Sequence, residues 1–237
     1  NGYADDPALA TYSGFHQYVL FNPGSDLRVA LVEDFGNDGI VDWLEAPAAD
    51  LGYPEGERTY DAVDVTFERE WDGKWYISGN YTWSKSEGNY EGAVKSDNGQ
   101  DDAGITTNFD QPGLVDGANG NLPNDRRHKV KIFGAYSIQE NLVAGANFSY
   151  QSGRPINAFG VHPTDDFAAA YGTASFFVDG ELVPRGSLGN QPSTWQLDMS
   201  LTYTTEVGGY DLVLRGDIYN LFDNDSVVET EENFEFD

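Results

Sequence analysis

The sequence predicts an all-β fold, in which antiparallel strands form a segment of a transmembrane β-barrel. Three observations support this prediction. Apolar and polar residues alternate over about ten residues at a time, which is the pattern of strands with one apolar and one polar face. The connections between these strands are alternately very short and very long. Aromatic residues lie near both ends of the apolar rows, as they do at the two interfaces of a membrane.

The amino-terminal quarter of the chain has the weakest pattern. A short strand is predicted at 16–21. The tract 22–58 is rich in Asp, Gly and Pro and is predicted to be a long loop, with one further short strand near 27–32.

The first strong hairpin is predicted from two strands at 59–71 and 74–85. Val63, Val65 and Phe67 alternate with polar residues, and Asp72-Gly73 supplies the tight turn. The following tract, 86–125, has no apolar period and is predicted to be a long loop. A loop of that length is unusual in a compact domain that is soluble in water.

Two more hairpins follow the same plan. Strands are predicted at 126–138 and 141–151, and again at 194–206 and 209–221, where Gly208-Gly209 makes the turn. The tract 152–193 between these hairpins is predicted to be a long loop, with a small hairpin of its own around 175–183. The chain ends in an acidic stretch.

About seven strands are therefore predicted, with short periplasmic turns at one end and long acidic extracellular loops at the other. A sheet with open edges cannot remain in lipid, so these strands are expected to be part of a larger barrel. The alternative is a water-soluble β-sandwich, in which a second sheet would cover the apolar face. The loop asymmetry and the aromatic residues favour the barrel.

The net charge of −27 excludes nucleic acid as a partner, because a phosphate backbone requires a basic surface. Cations or basic partners are more compatible with this charge. The chain has no cysteine, which excludes disulfides and thiolate zinc sites. Ser187 lacks the glycine two residues before it that a nucleophile elbow needs, and the three histidines are not at zinc-ligand spacing. The chain is therefore not expected to be an enzyme.

One acidic loop has the spacing of a calcium-binding loop. Asp34, Asp38, Asp42 and Glu45 occupy positions 1, 5, 9 and 12, and the carbonyl of Ile40 occupies position 7. Position 3 is a glycine, which removes one ligand, and helical flanks are missing. The sequence thus predicts a Ca²⁺ site at these five residues, with a solvated acidic turn as the alternative. The run at 97–102 is a weaker candidate for a cation site, and a hydrated loop is favoured there.

A charged cluster lies where the second long loop enters a strand. It consists of Asp125 followed by the basic residues Arg126, Arg127 and His128. One interpretation is a binding patch for an anionic ligand. The favoured interpretation is structural, with the arginines paired to nearby carboxylates.

Two strings are long and unusual: YTWSKSEGNYEG at 81–92 and LPNDRRH at 122–128. Three more accompany them, namely YQSGRPIN at 150–157, VPRGSLGNQPSTWQLDMSLTY at 183–203 and DIYNLFDND at 217–225. Together they resemble the C-terminal barrel region of the Oar-like TonB-dependent receptors. The resemblance covers roughly residues 20–225.

This resemblance implies a barrel of about 22 strands in the outer membrane of a Gram-negative bacterium, surrounded by lipid. It further implies an N-terminal plug domain and the uptake of an unknown extracellular ligand with energy from the TonB system. The whole chain, 1–237, would then be a partial barrel, and the plug and the segment that contacts TonB are expected to be absent from it.

Overall fold

The computed structural model describes residues 26–30, 38–40, 42–100, 102–104 and 106–234. These residues form an all-β fold with very little helix. The strands are β1 (Leu27–Ala30), β2 (Trp43–Ala46), β3 (Arg58–Arg69), β4 (Trp75–Gly88), β5 (Gly120–Asn121), β6 (His128–Gln139), β7 (Leu142–Gln151), β8 (Phe177–Val178), β9 (Glu181–Leu182), β10 (Thr194–Val207) and β11 (Tyr210–Ile218).

Six long strands form one antiparallel sheet in the order β3-β4-β6-β7-β10-β11. The two-residue strand β5 pairs with the end of β4. Among the described residues the sheet does not close on itself, so that β3 and β11 are its open edges. The structure therefore confirms an antiparallel all-β fold that forms part of a barrel.

The strand register separates an apolar face from a polar face. One row of paired positions across five strands is apolar, and it consists of Val65, Tyr81, Val130, Tyr150 and Trp195. The next row points to the opposite face and is polar, and it consists of Thr66, Asn80, Lys131, Ser149 and Gln196. Large side chains on the apolar face, including Val65 and Leu201, remain about half exposed. No second sheet covers this face among the described residues.

The short connections all lie at one end of the sheet. In the turn between β3 and β4, Asp72 Oδ1 accepts hydrogen bonds from the backbone N–H groups of Lys74 and Trp75, each at 2.9 Å. Gly208 and Gly209 join β10 to β11 with φ of +62° and +83°, the two positive values that a type I′ turn requires. At the other end, long connections follow β4, β7 and β11.

The ends of the six long strands differ from the sequence prediction by up to three residues. The strand predicted at 16–21 lies outside the described residues. Inside the predicted loop 22–58, the short strand predicted near 27–32 corresponds to β1, and the strand that pairs with it, β2, was not predicted. Strands of four residues are too short to show a reliable alternation.

The predicted loops also contain short helical turns. Three are 3₁₀ helices, at Ala48–Leu51, Ser96–Asn98 and Pro112–Val115. One is a four-residue α-helix, α1 (Asp166–Ala169), whose first turn is capped by Asp165. In the described part of the chain, no helix has the length and apolarity needed to cross a membrane.

Candidate ligand-binding loops

The long connections fold against one another at one end of the sheet. We call the described residues of 89–127, 152–193 and 219–234 the loop unit. Its small apolar core contains Phe159 and Phe176, which are almost fully buried and whose ring centroids lie 5.0 Å apart. Ala118, from the preceding connection, belongs to the same buried cluster. The tracts that have no apolar period in the sequence are therefore folded together.

A close backbone approach joins the first connection to the second. A Cβ atom on Gly120 would lie 2.2 Å from the carbonyl oxygen of Arg185, so only glycine fits at this position. The backbone N–H of Arg185 donates to the carbonyl of Gly117 at 2.8 Å. The two connections thus contact each other through their main chains as well as their side chains.

A buried ion pair lies at the centre of the loop unit. Arg185 Nη1 lies 2.6 Å from Asp97 Oδ2, and both side chains are fully buried. Arg185 Nε donates to the carbonyl of Ala118 at 2.6 Å. Asn157 Nδ2 donates to the same Asp97 oxygen at 3.1 Å, while Asn157 Oδ1 accepts from the N–H of Gly186 at 2.7 Å. These contacts hold residues from both long connections in one network.

Lys95 is a second buried charge beside this pair. Its Nζ donates to the carbonyl of Ala174 at 3.0 Å and lies 4.2 Å from the ring centroid of Phe159. Burial lowers the pKa of Lys95 to about 8, although the nearby carboxylate of Asp97 opposes this shift. The lysine therefore remains mostly charged at neutral pH, and burying this charge costs desolvation free energy.

A second ion pair attaches the segment that follows β11. Arg154 Nη1 lies 2.8 Å from Glu232 Oε1, and neither side chain is more than 8% exposed. The carbonyl of Glu232 accepts from the N–H of Phe159 at 2.8 Å. Burial raises the pKa of Glu232 to about 7, while the charge of Arg154 acts in the opposite direction. Protonation of Glu232 is therefore expected close to neutral pH.

The predicted calcium loop is only partly described. Asp34 lies outside the described residues. Asp38 Oδ1 accepts from the N–H of Ile40 at 2.9 Å, and Glu45 Oε1 lies 2.9 Å from Arg28 Nε, across the β1–β2 pair. In the described ranges, no three His, Cys, Asp or Glu side chains are grouped closely enough to hold a metal ion. Calcium binding at Asp34, Asp38, Ile40, Asp42 and Glu45 stays a prediction.

The hydrated-loop interpretation of the run at 97–102 is wrong for Asp97. Its carboxylate is buried and is neutralised by Arg185. The sequence showed six residues rich in Asp and amide groups, and it could not show that the neutralising arginine is 88 positions away.

The structural interpretation of the Asp125–His128 cluster is confirmed for Arg127, which pairs with a carboxylate, whereas Arg126 contacts backbone carbonyls. Asp125 is buried, accepts from the N–H of Ser86 at 2.9 Å and lies 3.0 Å from Arg127 Nη2. Arg126 donates to the backbone carbonyls of Pro123 and Asp125. His128 Nδ1 lies 2.8 Å from the hydroxyl of Tyr81. These contacts hold the start of β6 against β4.

Sequence reasoning missed Lys95, Arg154 and Arg185, which are the buried cations of the loop unit. The small number of basic residues in the chain was the one signal in the sequence that could have pointed to them. Only 13 basic residues accompany 40 acidic ones, so each isolated cation in an acidic loop was a candidate partner for several carboxylates. Which carboxylate it meets depends on the fold.

Comparison with known proteins gives a clear relative. The TonB-dependent transporter Oar of Myxococcus xanthus is 32% identical over 213 residues, which cover 86% of this chain and 19% of the relative. The siderophore receptor PiuA of Acinetobacter baumannii is a structural neighbour with a TM-score of 0.43 and 20% identity, covering 72% of this chain and 18% of the receptor. No family model matches the chain.

The chain spans about a fifth of the length of the curated relative. The expectation that it is not an enzyme agrees with this relationship. The sequence similarity extends over most of the chain, and the structure is an open antiparallel sheet with one apolar face. The resemblance found in the sequence is thereby confirmed, and the chain belongs to the Oar-like TonB-dependent receptors.

Proposed function

We propose that this chain is part of the barrel of an outer-membrane receptor that binds an extracellular ligand with its long connections. Energy from the TonB system would then drive uptake of the ligand. The observation that carries this proposal is the similarity to Oar along most of the chain. The exposed apolar face supports it, because such a face requires lipid or a second sheet to cover it.

The proposed partners follow from this arrangement. Outer-membrane lipid would surround the apolar face, and the end with the short turns would face the periplasm. The loop unit would face the medium and present a folded surface to the ligand. Contact with the TonB system would be made by a region outside this chain.

Uptake can be tested before the ligand is known. Cells that express the full receptor are grown in a defined medium, and the compounds removed from the medium are measured by mass spectrometry. The proposal predicts that some compound is removed only when both the receptor and a working TonB system are present. Removal that does not change when TonB is deleted would contradict uptake. In that case the alternative function that the sequence also allows would be favoured, namely a calcium-stabilised surface β-protein that serves adhesion or partner binding and transports nothing.

Calcium binding is proposed as an addition to this function. The spacing of Asp34, Asp38, Ile40, Asp42 and Glu45 supports it, whereas the pairing of Glu45 with Arg28 competes for one ligand. Calorimetry with CaCl₂ is expected to show a site that is lost in Asp38→Ala and retained in Asp61→Ala, a control on the edge strand β3. Heat of binding that is equal in both variants would leave the solvated acidic turn as the better interpretation.

A further inference from the structure

A groove lies on the polar face of the sheet, near the end that carries the loop unit. Its volume is about 370 Å³. On each of three strands, two residues on either side of a central residue line the groove. On β6 these two residues are Lys129 and Lys131. Asn224 and Ser226, from the segment after β11, line it as well. The groove therefore has a floor formed by the sheet and a wall formed by the loop unit.

On both neighbouring strands, the residues paired with the two lysines are neutral and polar. Lys129 lies between Thr82 on β4 and Gln151 on β7. Lys131 lies between Asn80 and Ser149 on the same two strands. No acidic residue is paired with either lysine across these strands, although acidic residues outnumber basic residues threefold in the chain. Two positive charges thus occupy a patch of hydrogen-bonding groups that carry no charge.

These two lysines differ from every other basic residue in the chain. All 13 basic residues lie in the described part, and eleven of them contact a carboxylate or a backbone carbonyl. Among the described residues, the ammonium groups of Lys129 and Lys131 have neither a carboxylate within 4.0 Å nor a hydrogen-bond partner. In a chain with a net charge of −27, two unpaired neighbouring cations require a specific explanation.

We propose that Lys129 and Lys131 bind a carboxylate or phosphate group of an anionic ligand in this groove. Residues two apart on one strand face have Cα atoms about 6.7 Å apart, so both ammonium groups can reach the same oxyanion. The amides of Gln151 and Asn224 supply further neutral donors around it. The volume is at the lower end of the range for small-molecule sites, about 300–1,000 Å³.

The negative charge of the chain does not prevent this binding. At physiological ionic strength, charges separated by more than about 8 Å are largely screened, so the two nearby ammonium groups dominate inside the groove. This assignment depends on the proposed function, because the polar face faces the barrel interior only if the sheet is part of a barrel.

The test is equilibrium binding by calorimetry to the purified full receptor in detergent, with citrate and inorganic phosphate as separate probes. The variants are Lys129→Gln and Lys131→Gln. The matched control is Lys85→Gln, which removes a lysine that pairs with Glu87 at 2.5 Å and lies outside the groove. Folding of each variant is checked by the heat-dependent mobility of the barrel in electrophoresis.

We expect the wild-type receptor to bind at least one probe, with affinity reduced about tenfold or more in each groove variant and unchanged in Lys85→Gln. Binding of citrate but not phosphate would assign the site to carboxylates, and the reverse would assign it to phosphates. The proposal is overturned if the wild type binds neither probe at millimolar concentration, or if the control loses as much affinity as the groove variants. Because binding in detergent needs no TonB, failure of this site is distinguishable from failure of energy-dependent uptake.

Discussion

In the sheet, apolar side chains such as Val65 and Leu201 remain exposed, whereas in the loop unit the charged side chains of Asp97 and Arg185 are buried. The sheet is held by a continuous backbone ladder, and no second sheet covers its apolar surface among the described residues. The loop unit has a small apolar core and is also held by ion pairs and hydrogen bonds between distant positions. The two regions should therefore respond to different substitutions, and the following experiments test this difference.

The largest effect is expected in the loop unit from Arg185→Met. This change removes the guanidinium that pairs with the buried Asp97 and leaves Lys95 as a nearby charge, at a cost of about 3–5 kcal/mol to the loop unit. The chain has no cysteine, so a Ser175→Cys substitution at a fully buried position reports opening of the loop unit by thiol labelling. Labelling should become roughly 10²- to 10⁴-fold faster.

The matched control is Lys85→Met, which removes one partner of an exposed ion pair on β4. It should leave the labelling rate unchanged. Equal labelling of both variants would show that the buried pair does not hold the loop unit together.

A slightly smaller effect is expected in the sheet, and it should depend on the face. Met199 lies on the apolar face and Asn147 on the polar face, beside Asp198. Met199→Arg should cost about 2–4 kcal/mol in urea unfolding from lipid bilayers, because it places a charge in hydrocarbon. Asn147→Arg should be tolerated. Similar costs for the two variants would argue against lipid contact on the apolar face.

The loop unit should also show an unusual dependence on pH. The pKa of Glu232 is raised from 4.5 to about 7, so the folded state binds more protons than the unfolded state between these values and stability falls as pH rises. The pKa of Lys95 is lowered from 10.5 to about 8, so stability rises as pH increases from about 8 to 10.5. A minimum of stability is therefore expected between about pH 7 and 8.

Labelling of Ser175→Cys, normalised to labelling of the exposed Ser187→Cys at each pH, measures this profile. Labelling should be about tenfold or more slower at pH 5 than at pH 7.5. Glu232→Gln should remove the change of labelling rate between pH 5 and 7.5. It should leave the rise of stability above about pH 8 in place. A wild-type profile that is flat from pH 5 to 7.5 would contradict the burial of Glu232.

The smallest effect is expected at the short turns. Gly209→Ala places a side chain at φ +83° and should cost about 1 kcal/mol in the same urea experiment. Gly216→Ala on β11 is the control, because its backbone is not in the left-handed region and no atom lies within 4 Å of the added carbon. A larger cost at Gly216 than at Gly209 would mean that the register between β10 and β11 is wrong.

The sheet was largely predictable from the sequence because its information is local. The alternation of Val63, Val65 and Phe67 has a period of two, and Asp72-Gly73 and Gly208-Gly209 mark their turns within a few residues. The loop unit was not predictable, because its contacts are distant in sequence. Asp97 and Arg185 are 88 positions apart, and no local pattern distinguishes this arginine from a solvated one. The lysine pair on β6 was visible as sequence, but its lack of acidic neighbours required the register.

The most direct test is hydrogen exchange of the full receptor in outer-membrane vesicles, measured by mass spectrometry on peptides that cover 93–100 and 154–162. A folded loop unit predicts that these backbone amides exchange slowly, at rates that approach those of the long strands. The reason is that each peptide contains a buried side chain, Asp97 or Asn157, and that these two side chains are hydrogen-bonded to each other. Exchange at the rate of an open chain, with the strands β6 and β7 still protected, would contradict the buried network.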